Sequence, residues 1–366
     1  MTGKRAEVVK GISGGAPRLI SWNITLRCPL KCSHCYVNAG ENETPGVLST
    51  DEALAVIDQI RDVGTPVIVL SGGEPLMRTD LCTIARYGTE RGLRMVMGTS
   101  GYFLDPLMAE RLRDAGIRAV AVSIDSADPA VHDSFRGVSG AWEKAVQGVR
   151  NCRDEGIGVQ INMTMMRPSA GDVQSVVDLG KGLGVTDYQV FFPVPTGRAQ
   201  DFGPFDPREY EEVIRQVLLK YRDTSVNLRP TCAPQFRRIA ADLGIDNQAW
   251  GRGCIAGIRY CRIYADGDVT PCPYLPVSAG NVRKNPFREI WYQSPVFSAL
   301  RDPDLLTGKC GRCEYKIICG GCRARAYRGT EMVSHCWCDG LMQPRAIAGD
   351  LCYEDPWCPY EPGGTP

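Results

Sequence analysis

With 366 residues, 43% of them hydrophobic, the chain exceeds what one compact core of typical size serves and can bury a large apolar interior. Its 42 basic and 42 acidic residues cancel, which excludes the charge excess of a nucleic-acid binder, an anionic-membrane binder or an acidic tail. No apolar run is long enough to span a bilayer, and the opening MTGKRAEVVKGISGGAPRL lacks an apolar signal core, so the expected location is the cytoplasm.

The first two hundred residues alternate. β-rich apolar runs fall at 19–24, 66–70, 94–97, 119–124, 158–165 and 187–192, with helical patterns between them. STDEALAVIDQIRDVG has Ser49 or Thr50 as cap, acids in its first turn and Gly64 as stop. DLCTIARYGTERG, DPLMAERLRDAG, AWEKAVQGVRNCRDEG and SAGDVQSVVDLGKGLG follow the same grammar. Strand followed by helix, repeated, predicts parallel strands with right-handed crossovers, either an open sheet or a barrel-like one. Function in either gathers at the carboxyl ends of the strands. The pattern breaks after Thr196, a helix is expected at 207–221, and from about Trp250 the chain becomes rich in Cys, Gly and Pro. The expected organisation is an N-terminal segment 1–17, an α/β domain 18–235 and a cysteine-rich domain 236–366.

Seventeen cysteines, an odd number without a secretion signal, read as metal or cluster ligands rather than disulfides. Eleven lie at or after Cys254. Directly after the first predicted strand, CPLKCSHCY places Cys28, Cys32 and Cys35 in the spacing C-x3-C-x2-C. Four thiolates close a zinc tetrahedron or fully ligate a [4Fe-4S] cube, whereas three on a cube leave one iron open to a small molecule. The bland alternative is a structural zinc site with His34 as fourth ligand. Downstream, Cys254, Cys261 and Cys272 are followed by Cys310-x2-Cys313-x5-Cys319-x2-Cys322 and then Cys358, a set that could equally serve closed clusters or zinc ribbons. Cys82 and Cys152 lie in helical patterns and read as core residues.

The triplet followed by Tyr36 resembles the signature of the radical S-adenosylmethionine (SAM) enzymes. The resemblance implies a partial (β/α)6 TIM-like barrel and a [4Fe-4S] cluster whose open iron chelates SAM, which on reduction yields a 5′-deoxyadenosyl radical. Gly72, Gly73, Glu74 and Pro75 resemble that family's GGEP loop at the SAM amino group. Ser123 and Arg136, in SIDSADPAVHDSFRG, match positions that hold the SAM carboxylate. Ser100 stands where relatives often carry asparagine. The C-terminal cysteines resemble the SPASM extension, which implies one or two auxiliary [4Fe-4S] clusters. Cys254, Cys261, Cys272 and Cys322 would hold one, and Cys310, Cys313, Cys319 and Cys358 the other. The two-residue gap between Cys319 and Cys322, and an insertion between Arg328 and Asp350 carrying Cys336 and Cys338, depart from the family pattern. Cys336, Cys338 and Cys352 are rival ligands to Cys358.

Longer segments, among them GDVTPCPYLP and EDPWCPY, resemble the tetrapyrrole branch of SPASM enzymes, the SAM-dependent heme synthases above all. The implied reaction is oxidative decarboxylation of two propionates of iron-coproporphyrin III to the vinyl groups of heme b. The partners expected are an iron-tetrapyrrole substrate and a reductant such as flavodoxin or ferredoxin. Arg198 and Arg262 are candidates for the propionates, and His34, His132, His335 or Cys232 for the substrate iron. The alternatives are a heme d1 maturase acting on didecarboxysiroheme, a peptide-modifying SPASM maturase, for whose leader-binding domain no room is expected before the first strand, and a zinc- or cluster-binding scaffold without turnover.

Overall fold

The computed structural model describes residues 14–165, 169–201, 206–222, 224–245, 250–330, 332–338, 341–347 and 349–363, with only the backbone of the 332–338 and 341–347 pair. The expected alternation is present. Strands β1 (Leu19–Thr25), β2 (Val67–Gly72), β3 (Arg94–Thr99), β4 (Ala119–Ser123), β5 (Gly158–Thr164) and β6 (Asp187–Phe191) run parallel in sequence order. The helices between them are α1 (Thr50–Arg61), α2 (Leu81–Glu90), α3 (Pro106–Asp114), α4 (Pro129–Arg136), α5 (Ala141–Asp154) and α6 (Ala170–Gly182), and α7 (Pro207–Tyr221) follows β6.

Local chemistry explains where these elements start. Ser49 caps α1 in a reciprocal box: its hydroxyl accepts from the Glu52 amide at 3.2 Å and the Glu52 carboxylate accepts from the Ser49 amide at 2.8 Å. The buried face of α1 is Ala53, Val56, Ile57 and Ile60, the i, i+3, i+4, i+7 stripe that packs a helix onto a sheet. In β1 the two-residue period sends Ile20, Trp22 and Ile24 into the helix-covered core, each fully buried, and leaves Ser21 facing the concave side.

The sheet holds more than the six predicted strands. A seventh parallel strand, β7 (Asn227–Thr231), pairs with β6, and β8 (Tyr260–Ile263) pairs parallel with β1 from the other side. Asn227, Arg229 and Pro230 hide β7 from a sequence reading, because Pro belongs at edges and Arg229 interrupts the apolar pattern. Its Pro is tolerated here since β7 is the last strand of the ten-stranded sheet, whose order is β10-β9-β8-β1-β2-β3-β4-β5-β6-β7. Strands β9 (Asp268–Thr270) and β10 (Gly280–Asn281) continue it antiparallel beyond β8. The sheet is therefore not closed, and it runs unbroken from the N-terminal α/β part into the cysteine-rich part. Short helices α8 (Phe236–Asp242), α9 (Phe287–Gln293), α10 (Pro295–Arg301), α11 (Gly308–Arg312) and α12 (Arg323–Thr330) complete the C-terminal part. β11 (Met332–Cys338) and β12 (Leu341–Ile347) form a separate hairpin, so the sequence insertion is a two-stranded excursion. No helix among the described residues is long and apolar enough to cross a membrane.

Candidate active site and cysteine clusters

The cysteine triplet occupies the loop at the carboxyl end of β1. That end is shaped by a register shift between Asn23 and Thr25. The GGEP loop follows β2 and is zipped to the same place: the Gly73 amide donates to Thr25 O at 2.9 Å and the Glu74 amide to Arg27 O at 2.8 Å. Gly72 sits at φ +148°, and a Cβ there would collide with the Thr25 carbonyl, while one at Gly73 would collide with Arg27 and Leu26 carbonyls. Replacing Gly72 by alanine is expected to cost about 1–3 kcal/mol and to displace the triplet loop. An anaerobic urea melt of the G72A variant, with the same midpoint as wild type, would refute this.

The triplet loop is fastened from two further sides. Lys31 and Ser33 amides donate to Arg136 O and Phe135 O at the end of α4, at 3.0 and 3.1 Å. Arg198 donates from Nε to Cys32 O at 2.7 Å and from Nη1 to Ala39 O at 2.9 Å, so its guanidinium clamps the loop rather than standing free for a substrate. All three thiols line one cavity. Burial pushes the Cys28 thiol up to about 12 and that of Cys32 upward, with Arg136 opposing the rise at Cys32. Among the described residues no three metal-ligating side chains converge tightly enough to hold a single ion. What the loop offers is a set of soft sulfur donors spread along a cavity wall, and that donor chemistry fits an iron–sulfur cluster.

Around the triplet, several predicted residues stand where expected but do something more specific. Glu74 is fully buried and does not reach the cavity. It accepts from Leu76 N at 3.2 Å, Thr99 Oγ1 at 2.8 Å, Ser100 N at 2.9 Å and the Ser100 hydroxyl. Its carboxylate thus ties the β2 loop to the β3 loop, and Ser100, Gly72 and Gly73 line the cavity. Pro75 opens the short turn after it and is buried. Ser123, the last residue of β4, also lines the cavity.

Arg136 lines the cavity too, but it is paired: it meets Asp125 at 2.6 Å and donates to Cys32 Sγ at 3.7 Å. Burial alone would raise the Asp125 carboxyl, yet Arg136 overrides it and holds the group below its ordinary range. Asp125, unnoticed in the sequence, also accepts from the Thr164 amide at 2.9 Å. His34 stacks on Phe135 at 4.3 Å between ring centroids, and its buried Nδ1 has no partner. Burial, reinforced by Arg136, pushes its imidazole down to about 3, so it is neutral at pH 7. His132 takes part in the core instead, accepting from the Asp125 amide at 3.2 Å. Tyr36 bridges the triplet loop to β8: the Arg262 guanidinium lies 4.6 Å from its ring centre and bonds its hydroxyl and Asn23.

The C-terminal cysteines form two groups. Cys310, Cys313, Cys319 and Cys358 line a common pocket beside Arg238 and Lys309. Cys254, Cys272 and Cys322 line the same main cavity as the triplet, and Cys232 joins them. Cys261 does not. It is fully buried in the apolar core on the other face of β8. Cys352 lies apart from both groups, with Asp350, Arg323 and Asp302 as its charged neighbours. Cys152 packs in the hydrophobic core as expected, and Cys82 is half-buried against its edge. The side chains of His335, Cys336 and Cys338 lie outside the described residues.

The main cavity has a volume of about 640 Å³ and runs through the concave side of the sheet. Part of its wall is small or polar where a filled barrel carries branched apolar side chains, at Ser21, Ser71, Gly98, Ala121, Asn162 and Gln189, while Leu19, Val67, Val69 and Val96 keep the rest apolar. No aspartate or glutamate lines it among the described residues, whereas Arg94, Arg136, Arg198, Arg229, Arg262 and Arg323 do. Arg229, at the centre of β7, was missed in the sequence. The signal was present: in NLRPT, Leu228 and Pro230 are buried, which by strand parity turns Arg229 inward. Burial lowers its proton affinity, the neighbouring cation Arg237 lowers it further, and the Cys232 thiol opposes both.

A parallel α/β sheet with a thiol triplet at the end of its first strand, sharing a cationic cavity with a second thiol group, defines a cluster-bearing enzyme of the open-barrel kind. Residues 22–179 match the Radical SAM superfamily and residues 254–314 match SPASM, an iron-sulfur cluster-binding domain. The chain belongs to the radical SAM superfamily, in its SPASM-bearing branch; it is an enzyme whose cofactors are SAM and iron–sulfur clusters. It is 42% identical to the AdoMet-dependent heme synthase of Methanosarcina barkeri, over 95% of this chain and 98% of that protein. It is 30% identical to the pre-heme d1 synthase of Dinoroseobacter shibae, over 95% of this chain and 87% of that one. The fold resembles Streptococcus suis SuiB bound to S-adenosylmethionine, with a TM-score of 0.74 and 17% identity over 97% of this chain and 80% of that one.

Proposed function

We propose that the chain decarboxylates two propionates of iron-coproporphyrin III oxidatively, forming the vinyl groups of heme b. The observation that carries this reading is the cavity: cationic, free of carboxylates among its described lining residues, and of a size that takes a large flat ligand. The near-full-length likeness to a protein named as a heme synthase supports it. Coproporphyrin bears four carboxylates, and a carboxylate-free wall of guanidiniums suits a polyanion.

In this reading Cys28, Cys32 and Cys35 would hold a [4Fe-4S] cluster, and Tyr36, Gly72, Gly73 and Ser123, which line the same cavity, would hold SAM. When bound and reduced, that cluster supplies the electron that splits SAM into methionine and a carbon radical able to take hydrogen from a propionate β-carbon. The residues of the chain do the rest. Glu74 fixes the floor of the SAM site through Thr99 and Ser100. Arg136, neutralised by Asp125, steadies Cys32 and acts on the SAM carboxylate only as one member of an ion pair. Of the cavity-lining cations that lack a carboxylate partner among the described residues, Arg198 and Arg323 are held by backbone carbonyls and Arg94 is exposed at the start of β3, so Arg229 and Arg262 are assigned to the propionates. Cys254, Cys272 and Cys322 would hold an auxiliary cluster, whose chemistry would be to accept the electron left by loss of CO2, and Cys310, Cys313, Cys319 and Cys358 would hold a second. A cytoplasmic flavodoxin or ferredoxin supplies the reducing electron.

Incubation of the reconstituted enzyme with SAM, dithionite and iron-coproporphyrin III, followed by mass spectrometry, tests this. Loss of two CO2 and appearance of 5′-deoxyadenosine are expected. Conversion of didecarboxysiroheme instead would establish the heme d1 reading. Arg229→Gln is expected to weaken substrate binding about 10- to 100-fold, the equivalent of losing a charge-assisted hydrogen bond of about 1.5–3 kcal/mol. Its SAM cleavage without substrate should stay at the wild-type rate. An unchanged substrate titration, followed in the porphyrin absorption band, removes Arg229 from the site.

A further inference from the structure

We propose that Cys232, not Cys261, is the fourth thiolate of the auxiliary cluster site formed with Cys254, Cys272 and Cys322. This rests on the reading that the C-terminal cysteines hold clusters. Spacing along the chain favours Cys261, only seven positions after Cys254. Strand geometry removes it. In β8, Tyr260 and Arg262 line the cavity, so Cys261 and Ile263 between and after them point to the opposite face. There Cys261 is fully buried in the apolar core that contains Trp291 and Phe297. The register is pinned by pairing with β1, Ile20 opposite Cys261 and Ser21 opposite Arg262. Bringing Cys261 to the cavity would require a one-residue slip that buries the Arg262 guanidinium in that core.

Cys232 approaches from the other direction. It follows β7, at the far edge of the sheet, and lines the same cavity as Tyr260 and Arg262 of β8. Its sulfur packs in one cluster with Cys272 and Cys322 and lines the cavity with Cys254. All three of those thiols are electrostatic neighbours of it, and none of them is a neighbour of Cys261. The backbone is held in a rare conformation to present it: Cys232 has φ +60°, a region that a non-glycine residue occupies only when its surroundings impose it. What imposes it is visible. Arg325 Nη1 donates to the Cys232 carbonyl at 2.8 Å, and Arg325 is locked by Asp355 at 3.0 Å. Cys232 therefore shares the cavity wall and the electrostatic surroundings of Cys254, Cys272 and Cys322, and Cys261 does not.

The test is anaerobic reconstitution of full-length C232A, C232S, C261A and C272A proteins, with iron and sulfide analysis and EPR of the reduced state. C232A is expected to lose about four irons per chain, or to keep them with altered auxiliary EPR features because one iron has lost its thiolate. C232S, which keeps the size and offers a weaker oxygen donor, should fold and show the altered signal even where C232A does not. C261A should retain full iron and the wild-type spectrum. Unchanged iron and spectrum in both Cys232 variants, with loss in C272A, overturns the assignment while leaving the auxiliary cluster intact. Unchanged iron and spectrum in C272A as well shows that no cluster sits there, and both readings fall. A change confined to the porphyrin-bound spectrum of C232S would make Cys232 a ligand of the substrate iron and overturn the proposal.

Discussion

Replacing Cys28, Cys32 and Cys35 together by alanine is expected to reduce SAM cleavage to the level seen without protein, with a loss of about four irons per chain. The reason is that, among the described residues, no other cysteine is a neighbour of the triplet thiols. The sulfurs of the C-terminal groups neighbour one another or line a separate pocket, and His34 beside the triplet is a neutral ring stacked on Phe135. The loop itself should survive the change. Its shape comes from the backbone bond between Cys28 N and Gly40 O at 2.6 Å, from the anchors to α4 and from the Arg198 clamp, none of which involves sulfur. Circular dichroism should therefore match wild type, and the iron of the C-terminal part should remain. Production of 5′-deoxyadenosine by the triple variant, measured by liquid chromatography after dithionite reduction, would refute the placement of SAM at this loop.

The second large effect concerns stability. Asp355→Ala is expected to destabilise the protein by about 3–5 kcal/mol, because it leaves the Arg325 guanidinium buried without its counter-charge. Both side chains are essentially inaccessible, and they meet through two contacts of 3.0 Å. Asp355 also accepts from the Cys322 amide at 2.8 Å, the Trp357 amide at 3.1 Å and Gln235 Nε2 at 2.7 Å. The pair thus joins the C-terminal segment to α12 and to the chain that follows β7. A double change to apolar residues of similar volume should cost less than Asp355→Ala alone, since no charge is then stranded.

The pH dependence of this pair has a definite sign. Burial alone would raise the Asp355 carboxyl, but Arg325 outweighs it and holds the group below its ordinary value. A depressed folded-state value means that the pair's contribution is complete above the ordinary carboxylate range, about 3.9, and is lost as pH falls through the lower folded value. The stability gap between wild type and D355N in anaerobic urea melts should therefore be constant from pH 8 to about 5 and shrink only in stronger acid. A gap that closes near neutral pH would contradict the pairing.

Much of the site was legible because its motifs are local. The triplet and the GGEP loop each lie within one strand-end turn, and β1 and β2 are neighbours in both chain and space. Arg136 was legible as a site residue but not its engagement: its partner, Asp125, lies eleven positions earlier across a helix, and only the folded turn brings them together. Arg198 is a candidate propionate partner in the sequence only because propionates need cations. The bonds it makes to Cys32 and Ala39 carbonyls span more than 150 positions and leave no trace in local pattern. Arg229 was overlooked for the opposite reason, since its strand carries a proline.

By itself the sequence determined the succession of strands and helices, the parallel α/β class and the sulfur chemistry at the end of β1. Those properties follow from periodicity and short-range spacing, which act within a few residues. Tertiary structure decided which distant side chains share a space. It left the sheet open, with residues of both β7, its last strand, and β8, on the other side of β1, lining one cavity. Strand parity then turned Cys261 into the core and Arg229 and Arg262 into the cavity, while Arg325 held Cys232 toward Cys272 and Cys322. A strand's two faces differ by a single residue step, so which sulfur reaches a site depends on how that strand is paired, and pairing is a property of the whole sheet.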